Sequence, residues 1–308
     1  MALGLQLSLP NARAEKNRIV YPLALIRSNF FYFMLCLILI KILLTKYPMH
    51  NIEIIEGYPA IYLRDEDALC IADLHLGYEE ALAASSGIAL PSRQLKEVEH
   101  KLKAAISKCK RKIARLIING DLKHVFSESS KQEWKEVPVF IEFTLNFVEE
   151  IILVRGNHDT FLGPLRRFSN IKIVNKLCMD DVLFIHGHNK DFLSIIREAK
   201  ETKNVIVAHE HPSLILGDCV GARVRLPCFL MGKLRLRGYE KNLIVMPAFS
   251  PLAGGTAVNV ASKEEFLSPI LKSAEVDLDG MEVCAVDEEI GTLGFPELRK
   301  WKAVSLCL

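Results

Sequence analysis

No C-x-x-C pair occurs among the eight cysteines of this 308-residue chain, which excludes a zinc ribbon or a thioredoxin-like redox motif. The cysteines, at positions 36, 70, 109, 178, 219, 228, 284 and 307, fall mostly in apolar runs such as Leu69-Cys70-Ile71. They read as small buried hydrophobes of a chain kept in a reducing compartment, so a cytoplasmic location is expected. There is no internal repeat, low-complexity tract or Pro/Gly/Ser linker. Charge of one sign is also lacking: 39 Lys and Arg stand against 37 Asp and Glu, so no global basic field argues for nucleic acid. The 50% hydrophobic and 25% charged composition excludes a disordered or collagen-like chain, and the length suffices for a large core without disulfides.

The near-neutral total hides a split. Residues 1–48 carry six Lys or Arg against one acid, Glu15, and the remaining residues are net −3. This segment also holds the longest apolar run, Phe30 to Ile40, reaching Leu44 if Lys41 is tolerated. That is shorter than the roughly 20 residues a spanning helix needs. Arg27 precedes it as in a signal peptide, yet no A-x-A-like cleavage site follows. Three readings stand: a short anchor through residues 28–44 that would make the protein membrane-associated, a buried extra helix, or upstream sequence preceding a native start at Met49. The composition break favours the last, with residues 49–308 as the functional domain.

From Asn51 onward, short aliphatic runs alternate with helical patterns. Ala68–Ala72, Arg115–Asn119, Ile151–Arg155, Val182–Ile185 and Val205–Ala208 read as strands buried on both faces. Ser92–Cys109 has one apolar face at helical spacing; a helix near Lys131–Glu150 is expected to be interrupted at Pro138, and a third covers Asp191–Lys200. After Pro212 the pattern turns to strands at Ala222–Arg225, Cys228–Met231, Leu243–Pro247 and Glu282–Val286. A single α/β domain is the simplest organisation.

Polar residues cluster where these strands end: Asp73-Leu74-His75, Gly120-Asp121-Leu122-Lys123-His124, Gly156-Asn157-His158-Asp159, His186-Gly187-His188 and His209-Glu210-His211. Seven of the nine histidines lie in these five segments, a concentration that scattered core or surface histidines would not produce. In open α/β sheets, ligand sites form beyond the carboxyl ends of strands, so five ends can converge on one place. Asp and His at i and i+2 of an extended segment project to one side and can hold one ion together. Carboxylate and imidazole without thiolate suit a catalytic Mn, Fe, Zn, Co or Ni rather than a structural zinc. The inventory exceeds the needs of one ion and points to two divalent metal ions, with Mn preferred. A shared carboxylate would then bridge ions about 3.5–4 Å apart, as in two-metal phosphoryl transfer.

At these residues the sequence resembles the calcineurin-like metallophosphoesterase superfamily, whose pattern D-x-H, G-D, G-N-H-[DE], H and G-H-x-H is matched in order between about Met49 and Asn259. The resemblance implies a two-sheet α/β sandwich flanked by helices, a four-layer αββα arrangement. It implies that Asp73, His75 and His211 hold one metal, that Asn157, His186 and His209 hold the other, and that Asp121 bridges them. It further implies a metal-activated hydroxide as nucleophile, His158 as the cation or general acid beside the scissile phosphate, and Asp159 orienting His158. Gly120-Asp121-x-x-His124 is similar to SbcD-type repair nucleases, in which a histidine so spaced reaches the substrate phosphate. Ile54 to Ala60, Ile71 to Gly77, Met246 to Phe249 and Gly254-Gly255 resemble archaeal SbcD-related phosphoesterases. Ala208 departs from the superfamily's glycine before H-x-H. The roughly 50 residues after Asn259 show no heptads, so no segment for docking an SMC-like ATPase is evident.

Other residues have plainer readings. His124 could be a helix-start residue, His188 could face solvent, and Lys123 is open between the two. Arg155 is expected to pair with a carboxylate near the site. Lys233, Arg223, Arg225, Arg235 and Arg237 fit the wet face of a sheet better than a steering patch, and Gly254-Gly255 fits a turn. The functional expectation is a dinuclear-metal phosphoesterase acting on a phosphodiester, with nucleic acid or a nucleotide as substrate. The alternatives are a phosphomonoesterase or cyclic-nucleotide hydrolase on a small substrate, and a non-catalytic scaffold of the same fold. A scaffold is expected to have lost ligands, and none is missing here.

Overall fold

The computed structural model describes residues 51–87, 91–217 and 222–302. The extension 1–48, its apolar run and Met49 lie outside the described residues, as do Cys36, Cys219 and Cys307. Among the described residues no helix is long and apolar enough to cross a membrane.

Among the described residues, fourteen strands form two sheets. In chain order they are β1 Ile52–Ile54, β2 Ile61–Leu63, β3 Ala68–Ile71, β4 Arg115–Ile118, β5 Glu150–Val154, β6 Ile171–Val174, β7 Leu177–Met179, β8 Val182–Phe184, β9 Asn204–Val207, β10 Ser213–Gly217, β11 Arg223–Leu236, β12 Tyr239–Val245, β13 Glu282–Asp287 and β14 Gly291–Phe295. The first sheet runs β1-β2-β3-β4-β5-β6, and the second runs β14-β13-β11-β12-β9-β8-β7 with β10 paired to β11. Strands β3 to β6 are parallel to one another, as are β8, β9 and β12, while the outer pairings are antiparallel. Two mixed sheets flanked by helices make up the fold, as expected.

The period-two alternation of side chains explains why the central strands are apolar throughout. Leu69, Ile71, Leu116, Ile118, Ile151 and Leu153 pack with Val98, Leu102, Val137, Phe140 and Ile141 from the helices. The intervening Ala68, Cys70, Ile117, Ile152 and Val154 pack with Phe184, Ile206, Phe229 and Ile244 of the second sheet. Each strand serves two cores, so neither face can be polar until the strand ends. The polar motifs therefore begin where burial between layers stops.

Three expectations are corrected. The helix Lys131–Thr144 continues through Pro138. It lacks the one backbone bond proline cannot donate, but Ser130 and Glu133 form a capping box at its start and Val137, Phe140 and Ile141 bury one face. The two strands expected around Pro227 are one, β11. Its residues 223–227 pair with β10, and Cys228 onward pairs with β13. Pro227 sits at the change of partner, where a missing N–H is tolerated. Finally, Cys178 is exposed and Cys109 half-buried, whereas Cys70, Cys228 and Cys284 are core; alternation in β7 turns Leu177 inward and Cys178 out.

Candidate metal centre

The carboxyl ends of β3, β4 and β5 in one sheet and of β8 and β9 in the other deliver their polar residues to one place. Asp73, His75, Asp121 and His211 bring ligand atoms within 4.8 Å of one another, as do Asp121, His186 and His209. Asp121 belongs to both groups. A third set, His75, His124 and His158, also converges but contains no carboxylate.

The backbone is bent to achieve this. Asp73 (φ 55°), His75 (φ 48°), Asp121 (φ 53°), His209 (φ 69°) and His211 (φ 49°) all adopt the left-handed region. Residues with a Cβ rarely do so, and such strain concentrates at functional sites. Two motif glycines answer to close approach, Gly120 also lying at positive φ (94°). A Cβ on Gly120 would lie 2.1 Å from the His186 Nδ1, and one on Gly156 would lie 2.0 Å from the Asp121 Oδ1.

The donor atoms have the chemistry of a cation site. Asp73 Oδ1 is buried and receives no aligned hydrogen bond; His211 Nε2 lies 3.2 Å from it. The Nε2 atoms of His75 and His211 face each other at 3.3 Å. His186 places Nδ1 3.0 Å from the Asn119 carbonyl, and an Nδ1–H donated there leaves the lone pair on Nε2. That Nε2 points at Asn157 Oδ1 (3.1 Å) and Asp121 Oδ2 (3.2 Å). Three acceptors converging on a point is an arrangement that a cation satisfies. The set fits two divalent ions sharing Asp121.

Electrostatics follow the same geometry. Burial works against the Asp121 carboxylate, but the surrounding imidazoles of His186, His75 and His158 outweigh it and hold the group far below the usual carboxylate range. Asp73 is also lowered, burial being outweighed by His211 and His186. Without an ion, His186 is raised to about 9: burial is outweighed by the Asp121 and Asp73 charges, which favour a proton on Nε2 in the place a cation would take. His75 falls to about 3 and His209 to about 4, both through burial and then a neighbouring imidazole. His124 falls to about 4, through burial and then His158.

Several residues that the motifs did not reveal hold this loop cluster together. The Gln94 amide donates to the Leu74 and His75 carbonyls and to Ser250 Oγ, pinning the D-x-H turn from a helix. The Asn119 amide donates to the Ile185 and Ile206 carbonyls, joining the two sheets. Glu133 accepts from the backbone N–H of His124 and Val125. Glu210 accepts from the N–H of Leu267 and Ser268 and from the Thr256 hydroxyl, anchoring the segment between His209 and His211. The Ser130-x-x-Glu133 capping signal and Glu210's place between two histidines were available in the sequence. Nothing there marks Gln94.

Asp159 does not reach the His158 ring, contrary to expectation. Its oxygens accept the backbone N–H groups of Asp121 (2.8 Å), Leu122 (3.1 Å) and Gly156 (2.9 Å), so it holds the Asp121 loop. With its carboxylate fully buried beside Asp121, its pKa is raised to about 6. The His158 ring meets the His124 carbonyl instead, and its Nε2 lies 3.8 Å from Asp121 Oδ2. Arg155 is exposed and has no ion pair among the described residues; it borders a cavity of about 300 Å³ beside His186 and His188. Lys123 is buried with its ammonium on the Val125 carbonyl. Arg225 binds the carbonyls of Gly254 and Gly255 (2.6 and 2.7 Å), and Arg235 pairs with Glu240. Arg225 and Arg235 are thus engaged within the fold. Gly255 is more than a turn, since a Cβ there would overlap the His211 carbonyl.

Two mixed sheets with His and Asp gathered at their facing strand ends define a metal-dependent phosphoester hydrolase. More particularly, the chain belongs to the calcineurin-like phosphoesterase family, whose sequence profile matches residues 68–245. Among solved structures it is similar to nuclease MPE of Pseudomonas putida, at 19% identity over 77% of this chain and 92% of that one, with a TM-score of 0.50. A protein of unknown function from Aquifex aeolicus aligns at 18% identity over 47% of this chain and 78% of that one, TM-score 0.33. A Vps29 single mutant from Entamoeba histolytica aligns at 12% over 74% and 98%, TM-score 0.30. At 19% identity the likeness to nuclease MPE is one of fold alone. No curated protein sequence matches the chain.

Proposed function

We propose that the protein is a phosphodiesterase in which Asp73, His75 and His211 hold one divalent ion, Asn157, His186 and His209 hold a second, and Asp121 is shared. The observation that carries this reading is the membership of Asp121 in both donor groups. When bound, two such ions neutralise phosphate oxygens and acidify a water for in-line attack; Mn is the first candidate.

The chain's own residues then have distinct tasks. Asp121 accepts the backbone N–H of His158 at 2.9 Å, so the shared ligand also sets the position of that residue. We assign His158 to proton delivery to the leaving oxygen and His124 to a non-bridging phosphate oxygen. Their set with His75 has no carboxylate to serve a third ion. Asp159 positions the Asp121 loop. On the His124 and His158 side Lys123 is engaged by a carbonyl, which favours the single negative charge of a diester over a monoester dianion there. Arg155, with no ion pair among the described residues, borders the other side, by His186. We place the domain at residues 49–308, apart from the extension 1–48; the first described strand begins at Ile52.

The test is hydrolysis of bis-p-nitrophenyl phosphate beside p-nitrophenyl phosphate with Mn, Co, Ni or Zn supplied. Diester preference, abolished in Asp121→Asn, is expected. Preference for the monoester would replace the reading with a phosphomonoesterase, and wild type no faster than Asp121→Asn would end it.

A further inference from the structure

Four large aromatic side chains are well exposed among the described residues; of these, Phe126 (56%) and Phe161 (38%) sit on the segments that carry His124 and His158, and Trp134 (51%) meets Phe161. Phe126 is in direct contact with the metal centre: its ring centroid lies 3.7 Å from that of His158, with 32° between the planes. The stack continues inward from His158 to His124 (5.4 Å) and on to Tyr78 (4.1 Å). Phe126 is thus the outermost ring of a column that starts among the site imidazoles. Trp134 and Phe161 meet edge to face at 6.4 Å.

The cluster is seated, not loosely placed. The Thr160 hydroxyl donates to the Phe126 carbonyl, and the Ser129 hydroxyl donates to the Phe161 carbonyl at 3.3 Å. Segments 124–129 and 158–161 are therefore tied together along the rim. Gly163 lies under the other two rings, where a Cβ would come within 2.7 Å of Phe161 and 3.0 Å of Trp134. Exposed Lys131 and Lys135 flank Trp134 on its helix, and exposed Arg166 follows Phe161; one exposed acid, Glu128, shares the rim.

Three open aromatic faces do nothing for the core and cost solubility. They need a partner that is planar, apolar on its faces and attached to negative charge. Unpaired nucleobases on a phosphodiester chain meet all three conditions, because every base has a π face and the adjoining cations match the backbone. A base-paired duplex would keep those faces stacked internally. We infer that Phe126, with Phe161 and Trp134, forms a stacking rim that receives unpaired nucleobases of a single-stranded substrate and sets its scissile phosphate at the metals. This deepens the phosphodiesterase reading and rests on it.

The measurement is binding by the metal-loaded protein of a fluorescent six-unit oligothymidylate with nuclease-resistant phosphorothioate links, against an abasic chain of the same length and linkage. Both carry the same charge, so the ratio of dissociation constants reads the bases alone. Stacking contributes about 1–3 kcal/mol per base, so oligothymidylate is expected to bind roughly 5- to 100-fold more tightly. In Phe126→Leu, which keeps an apolar residue at an exposed position, the ratio falls toward one; Phe126→Trp restores it. Quenching of Trp134 fluorescence by oligothymidylate and not by the abasic chain is the second readout, lost in Trp134→Leu. A ratio near one in wild type, or one unchanged in Phe126→Leu and Trp134→Leu alike, overturns the rim. Failure of the phosphodiesterase reading shows separately, as absent hydrolysis of bis-p-nitrophenyl phosphate, and leaves the binding ratio readable.

Discussion

The two halves of the metal centre are built differently. The half formed by Asp73, His75 and His211 takes its geometry from the backbone: all three residues lie at positive φ. It has a carboxylate of its own, Asp73, besides the shared Asp121. In the other half, His186 is aligned by the Asn119 carbonyl and faces a neutral amide, Asn157. Only the shared Asp121 supplies negative charge there. The first half has all its own ligands at positive φ and two carboxylates; the second has one such residue, His209, beside the hydrogen-bonded His186, and a single carboxylate. An ion is therefore expected to be held more firmly by Asp73, His75 and His211, with the His186 and His209 side exchanging first.

The largest effect tests what the halves share. Asp121→Asn is expected to lower diester hydrolysis by on the order of 10³-fold and to deplete both ions, read by elemental analysis of the purified protein. Retention of one full equivalent would show the halves to be independent.

The difference itself is sharpened by removing one ligand from each side. Asp73→Asn is expected to weaken the tighter ion and His209→Ala only the looser one, so calorimetric titration should lose the strong phase in the first and the weak phase in the second. The reverse assignment would break the comparison. Smaller again are the supports. Gln94→Ala steadies nothing in the second half and Asn119→Ala little in the first, so each should reduce affinity mainly on its own side, by roughly 10- to 100-fold. Each also removes the donor to one buried carbonyl, Leu74 or Ile185, at a cost of about 1–3 kcal/mol in chemical denaturation.

The smallest expected effect is the pH response of the metal-stripped protein. His75, His124 and His209 are depressed to about 3, 4 and 4, so they stabilise the fold above the ordinary histidine range. That contribution is lost as pH falls from about 6.5 toward 4, where the unfolded chain takes up protons that the folded chain refuses. His186, raised to about 9, acts oppositely: its contribution is present at low pH and fades as pH rises through 9. Thermal melts should therefore drop between pH 7 and 4, less steeply in His75→Gln. A melting temperature that rises toward pH 4 would mean that His186 and His211 dominate.

Much of this was legible before any coordinates. Strands such as Ala68–Ile71 and Arg115–Ile118 announce themselves because a strand serving two cores must be apolar at every position, and the ligands follow because polarity can return only at its end. What stayed hidden depends on partners distant in sequence. Asp159 looked like a companion of its neighbour His158, yet its oxygens are taken by N–H groups 37 and 38 residues away. The Pro138 and Pro227 boundaries were misread for a similar reason: local rules predict a break, whereas packing and a change of sheet partner allow continuity. Left-handed backbone at Asp73 or His209 leaves only a weak mark, since Asp and His enter that region more readily than most residues but usually do not.

One consequence of the Asn119 bridge between Ile185 and Ile206 reaches beyond catalysis. The donor groups straddle the seam of the sandwich, with Asp73 and Asp121 from one sheet and His186, His209 and His211 from the other. Cations seated there would act as rivets, fastening segments 136 residues apart in the Asp73 to His209 span. Loading and folding then become coupled quantities, since anything bound only by the closed sandwich raises its melting point with concentration. A chain stripped of its ions should be the form that proteases open first.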